Sequence, residues 1–160
     1  MKSEDTQAVS QRAVNVLLIS PFTEDHQHLR EILKYSTWQQ HGARTQKEAF
    51  EFLGENITPV VICESELPDS TWREVLCRLD RMQYPPLLVV TSRMADDRLW
   101  SEVLNLGGYN VLAKPLNSNE VLHVTGGAWR AWKRARGVEM SLDAARVSAC
   151  ATYQTLSAAG

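Results

Sequence analysis

At 160 residues the chain is long enough for one domain with its own hydrophobic core and too short for two full ones. Apolar residues make up 44% and charged residues 22%, the balance of an ordinary globular protein rather than of a disordered or membrane-embedded one. A formal net charge of −2 excludes a global field that would draw nucleic acid or an anionic membrane, so either role would need a local patch.

Met1–Arg12 is polar and lacks the apolar core of a secretory leader. No apolar run approaches the roughly 20 residues that span a bilayer. Cys63, Cys77 and Cys150 are odd in number and widely spaced, and Cys63 and Cys77 fall in apolar segments where a reduced thiol acts as a small hydrophobe. A reduced, cytoplasmic protein without a membrane partner is expected.

In chain order, Val14–Ile19 (VNVLLI) is a short, unbroken apolar run that suits a strand buried on both faces. Thr23 precedes a helical pattern over His26–Tyr35, with Leu29, Ile32 and Leu33 on one face. A weaker strand is predicted near Trp38–Ala43. Thr45 and Glu48 then have capping-box spacing ahead of Ala49, Phe50 and Leu53. Val60–Cys63 (VVIC) reads as a third buried strand. Thr71 and Glu74 repeat the capping pattern ahead of Val75, Leu76 and Leu79. Leu87–Val90 (LLVV) is the fourth strand. Asp96 or Asp97 opens a helix carrying Leu99, Val103 and Leu106, which Gly107 stops. A second weak strand lies near Tyr109–Ala113, and Asn117 with Glu120 opens a last helix through Val121, Leu122 and Val124. Gly126-Gly127 inside that helix is unfavourable by about 1 kcal/mol per glycine relative to alanine, which points to a kink or a close approach.

Strands alternating with helices in the order βαβαβαβαβα predict an α/β domain, a doubly wound five-stranded parallel sheet built as (βα)5 with helices on both faces. The domain is placed at 13–137, with an N-terminal tail at 1–12. Residues 138–160 read either as a disordered tail or as a short helix, with Leu142, Ala145, Ala149, Tyr153 and Leu156 loosely on one face. In sheets of this kind the site lies outside the carboxyl ends of the strands. Those ends are Ser20-Pro21, Glu64, Thr91 and Lys114.

Read together, Glu64-Ser65-Glu66-Leu67-Pro68 after the third strand, Thr91-Ser92 after the fourth and Lys114-Pro115 after the fifth resemble the response-regulator receiver family. This is the CheY-like, flavodoxin-like fold of two-component signalling, and the resemblance spans about Val14–Trp132. It implies that Glu64 occupies the phosphoacceptor aspartate position, Thr91 that of the conserved hydroxyl, and Lys114 that of the conserved lysine, followed by Pro115 through a cis bond. It places Ser20 and Pro21 where the family has two adjacent acids, and Val111 where it has the aromatic switch residue. The member would thus be degenerate, a pseudo-receiver.

Phosphoryl transfer to a carboxylate is chiefly positioning and charge neutralisation, which the family obtains from Mg²⁺. With serine and proline at the acid pair, one carboxylate remains of three, and divalent-metal binding is expected to be weak or absent, with no other cofactor. Glutamate also moves the carboxylate by about 1.5 Å relative to aspartate, a reach that suits a direct contact from Glu64 to Lys114. Glu64→Ala is then expected to leave Lys114 unpaired, and the fixed charge imitates the phosphorylated form. Glu24 and Asp25 are open to two readings: metal ligands that swing in, or acids in the first turn of a helix.

Arg130, Lys133, Arg134 and Arg136 interleave with Trp129 and Trp132, but they close the last helix, where cations suit the dipole, and no nucleic-acid partner is expected. Trp100, Trp129 and Trp132 are candidates both for a protein interface and for the core. His26 and His28, two apart, do not share a helical face, so no zinc site is expected. The expectation is a stand-alone, non-enzymatic receiver-like domain that is not phosphorylated and acts through a protein partner, a homodimer among the options. The alternatives are an unorthodox phosphoacceptor active in a phosphorelay, or a flavodoxin-like small-molecule-binding protein. The last is disfavoured by the lack of a Gly-rich phosphate loop after the first strand.

Overall fold

The computed structural model describes residues 13–137. The readings for 1–12, 138–160 and Cys150 lie outside them. Five strands, β1 (Val14–Ile19), β2 (Trp38–Ala43), β3 (Val60–Glu64), β4 (Leu87–Ser92) and β5 (Asn110–Ala113), form one parallel sheet in the order β2-β1-β3-β4-β5. The helices are α1 (Thr23–Leu33), α2 (Gln46–Leu53), α3 (Trp72–Leu79), α4 (Asp97–Leu106) and α5 (118–137). This is the doubly wound, flavodoxin-like arrangement, with its switch in strand order between β1 and β3.

The unbroken apolar strands are central because both of their faces are covered. Leu17, Ile19, Val61, Cys63 and Val90 face a core closed by α2, α3 and Val103 of α4. Val16, Leu18, Val60, Ile62, Val89 and Leu112 face the other core, closed by Leu29 and Leu33 of α1 and Val121, Val124 and Ala128 of α5. The two strands with weaker sequence signals, β2 and β5, are the sheet edges, where less of each strand has to be apolar.

Caps explain most boundaries. Thr45 Oγ1 accepts from Glu48 N at 3.2 Å, Asp96 Oδ1 from Leu99 N at 2.9 Å, and Asn117 Oδ1 from Glu120 N at 3.1 Å. Gly107 ends α4 at φ 105°, a left-handed conformation that favours glycine. Three expectations need correction. The first helix starts at Thr23 rather than His26 and ends at Leu33, where Ser36 N donates to the Leu33 carbonyl, leaving Tyr35 outside and exposed. Thr71 makes no side-chain cap; its backbone instead bridges to Glu66 across the β3–α3 turn. Cys77 is exposed rather than packed.

The paired glycines of α5 mark a close approach. A Cβ on Gly127 would lie 2.6 Å from the Tyr109 hydroxyl, with the ring's Cζ next at 3.7 Å. In a Tyr109→Phe background the hydroxyl is gone, so Gly127→Ala is expected to stabilise the domain by about 0.5–1 kcal/mol, the gain of alanine over glycine in a helix. With Tyr109 intact that gain is cancelled or reversed by overpacking. Chemical denaturation of the four proteins measures the difference.

Candidate functional site

The parallel register brings the strand ends together. Ile19 pairs with Ala43 and Cys63, Glu64 with Thr91, and Ser92 with Ala113, so Ser20, Glu64, Thr91 and Lys114 meet at the carboxyl edge. Lys114 N donates to the Ser92 carbonyl at 3.0 Å, which fixes the start of the turn, and the Lys114–Pro115 peptide is cis.

Lys114 is the centre of the arrangement. Its Nζ lies 2.6 Å from Glu64 Oε2 and 3.0 Å from Asp25 Oδ2, and its side chain is only 6% exposed. Thr91 Oγ1 donates to the same Glu64 oxygen at 3.2 Å. Ser20 Oγ donates to Asp25 Oδ2 at 2.6 Å and accepts from Phe22 N at 3.1 Å. The Phe22 ring covers the ammonium, its centroid 4.7 Å from Nζ, a further favourable contact for a cation. The ammonium thus has a carboxylate from a strand, a carboxylate from a helix and an aromatic face. Each buried charge has a partner, which burial of charged groups demands.

Asp25 corrects the expectation that a single carboxylate remains for Lys114. It sits in the first turn of α1, as one of its two readings had it, yet its side chain turns inward and is buried. Glu24, its neighbour, stays at the rim, 3.9 Å from Arg93 and 86% exposed. One signal would have found Asp25: it shares the buried stripe of α1 with Leu29 and Leu33 at four-residue spacing, an acid at a core-facing position. Placing the helix start at His26 hid that spacing. The α1 end of the site is also tied down by His26, whose Nε2–H donates to the Ser20 carbonyl at 2.8 Å.

The donor set fits Mg²⁺ poorly. Ser20 Oγ is committed to Asp25, and Pro21 offers only a backbone carbonyl, which accepts from Arg44 Nη1 at 2.8 Å. Both carboxylates already face the ammonium, through Asp25 Oδ2 and Glu64 Oε2, so a divalent ion would compete with a buried lysine for their charge. Among the described residues no three His, Cys, Asp or Glu side chains converge as a metal cluster. Cys63, beside Glu64, offers no nucleophile: burial, reinforced by the Glu64 charge, pushes its thiol well up from its ordinary range. Val111 is buried in the core with α2–α4 and carries no ring.

The three candidate tryptophans separate. Trp132 is 7% exposed and is spent on packing; Trp129 is half-buried against Trp38, edge to face at 6.0 Å; only Trp100 is substantially exposed, at 46%. Core packing, the competing account, holds for Trp132.

No family model matches the chain. It is 32% identical over 109 residues to the aerobic respiration control sensor protein ArcB of Escherichia coli K12, an alignment covering 66% of this chain. The chain spans 14% of the length of that relative, and the ArcB of Shigella flexneri matches equally. Among solved structures, the signal receiver domain of an HD domain-containing protein from Pseudomonas fluorescens Pf-5 superposes with a TM-score of 0.71 at 25% identity, covering 79% of this chain and 93% of that one. This chain contains a response-regulator receiver domain. The chemotaxis response regulator CheY4 of Vibrio cholerae, at 19% identity and a TM-score of 0.64 over 72% of this chain and 98% of that one, shares the fold. The receiver domain here carries Ser20, Pro21, Glu64, Thr91 and Lys114 at the carboxyl edge of that fold.

Proposed function

We propose that this receiver domain of two-component signalling works without phosphorylation, as a non-enzymatic, cytoplasmic module that acts through protein contact. Glu64 would stand at the phosphoacceptor position, Ser20 and Pro21 at the acid pair, Thr91 at the hydroxyl, Lys114-Pro115 at the lysine and Val111 at the switch. The observation that carries this reading is the ammonium of Lys114 held between Asp25 and Glu64. Both carboxylates already face this buried ammonium, which leaves less negative charge for the divalent cation on which phosphoryl transfer depends. Mg²⁺ binding would be weak or absent for the same reason.

Protein contact as the output is favoured by the exposed side of α4, where Trp100 and Leu104, four apart, are 46% and 39% exposed; a second copy is one protein that would fit there. A nucleic-acid role is disfavoured because two of the four α5 cations, Lys133 and Arg136, lie over the domain's own rings. Lys133 lies 3.8 Å from the Trp129 centroid, and Arg136 lies 4.7 Å and 5.0 Å from those of Tyr84 and Trp132. No helix among the described residues is long and apolar enough to cross a membrane. The test is intact-mass spectrometry after incubation with acetyl phosphate and Mg²⁺. An unchanged mass is expected; a gain of one phosphoryl group, stable to neutral pH and lost in base, would favour the unorthodox phosphoacceptor instead.

A further inference from the structure

The opposite, amino edge of the sheet carries a second site. Between the end of α1 and the middle of α5 runs a groove of about 790 Å³, within the size range of small-molecule sites. Trp38, at the start of β2, and Trp129 give it aromatic walls, and Leu33 of α1 lies beneath. Arg30 and Lys34 stand along its α1 side, one turn apart, and Ser36 and Thr37 add short polar side chains. No carboxylate is among the described residues that line it. Lys34 does pair with Glu31, but that pair is exposed and such pairs contribute little, so an incoming anion can compete for the lysine.

Two indole walls favour a flat aromatic body, because offset or edge-on ring contacts add to simple burial. Cations along one side, with no acid in the lining, favour a negative group on that body. We propose that this groove binds a small planar aromatic anion. The inference stands apart from the phosphorylation reading, since no residue of the groove belongs to the carboxyl-edge site. The two are joined by one element: α1, 11 residues or roughly 16 Å long, carries Arg30 and Leu33 at the groove, with Lys34 just past its end, and Asp25 at Lys114. A ligand seated on the end of this helix would bear on the helix that clamps the lysine, an input that needs no phosphoryl group.

Isothermal titration of the full chain with three probes tests the proposal: naphthalene-1-sulfonate, the uncharged 1-naphthalenemethanol, and inorganic phosphate. The sulfonate is expected to bind with 1:1 stoichiometry and a Kd below about 1 mM, the scale available to a probe this small. The uncharged analogue is expected to bind at least about tenfold more weakly, and phosphate not measurably. Arg30→Gln, at an exposed position that leaves the core intact, is expected to weaken the sulfonate about fivefold or more, as is Trp129→Leu, while Ile57→Ser, an exposed change elsewhere, leaves it unaltered. The proposal is overturned if the sulfonate gives no saturable heat, if the uncharged analogue binds equally well, if phosphate alone binds as tightly, or if Arg30→Gln has no effect.

Discussion

Lys114→Met is expected to be the most destabilising single change at the carboxyl edge, lowering the unfolding free energy by about 3–5 kcal/mol, the range for breaking a buried ion pair by removing one partner. The reason is specific to this domain. Asp25 and Glu64 both direct an oxygen at Nζ, so methionine would leave two buried like charges without their cation. Thr91 and Ser20 each give one hydrogen bond, which does not replace the ammonium. Adding Asp25→Asn and Glu64→Gln to the same chain is expected to recover most of the loss, because the uncompensated charges go with it. Urea unfolding of the single and triple variants measures this. Equal stabilities of wild type and Lys114→Met would mean that the lysine is not what holds the two carboxylates. Glu64→Ala should cost less than Lys114→Met, contrary to the expectation from sequence that it strands the lysine: Asp25 remains 3.0 Å away.

Glu64→Asp is expected to leave the protein unphosphorylated by acetyl phosphate, at a rate at least about 100-fold below that of a receiver with both first-strand acids. Shortening the side chain withdraws the carboxylate by about 1.5 Å and loosens the 2.6 Å contact with Lys114. On the proposed reading it puts an aspartate at the acceptor position without freeing a metal ligand, since Ser20 remains bonded to Asp25 and the Pro21 carbonyl accepts from Arg44. Phosphoryl transfer depends on that neutralising charge. Intact-mass time courses in Mg²⁺ check the rate. Rapid phosphorylation of Glu64→Asp would show that the acceptor alone was missing and that Asp25 can serve a metal.

Much of this was legible along the chain. Runs such as VNVLLI and VVIC suit a strand covered on both sides, and three such runs with two weaker ones, separated by helical stripes, leave few topologies. Once the strands are parallel, Glu64, Thr91 and Lys114 must share an edge, because each lies at or just past the carboxyl end of its strand. The edge strands were harder to place: WQQHGA in β2 is half-exposed, so its pattern is diluted. Asp25 was missed as a partner of Lys114 because its meaning depends on where α1 begins, and the helix begins at Thr23 without a side-chain cap to announce it. Thr71 has capping-box spacing but its turn is organised by a backbone bridge to Glu66 instead. The glycine pair gave a correct alternative, a close approach, but only the fold reveals Tyr109 as the neighbour. The groove beside Trp38 and Trp129 joins residues far apart in sequence and had no local signature.

The central claim concerns charge: an edge whose carboxylates are already satisfied by a lysine has none to spare for a metal. Its most direct measurement is a Mg²⁺ titration of the isotopically labelled full chain, followed through the backbone amides of Ser20, Asp25, Glu64 and Lys114. The account predicts no saturable shift at these positions well into the millimolar range. A saturating, localised shift at millimolar Mg²⁺ would contradict it.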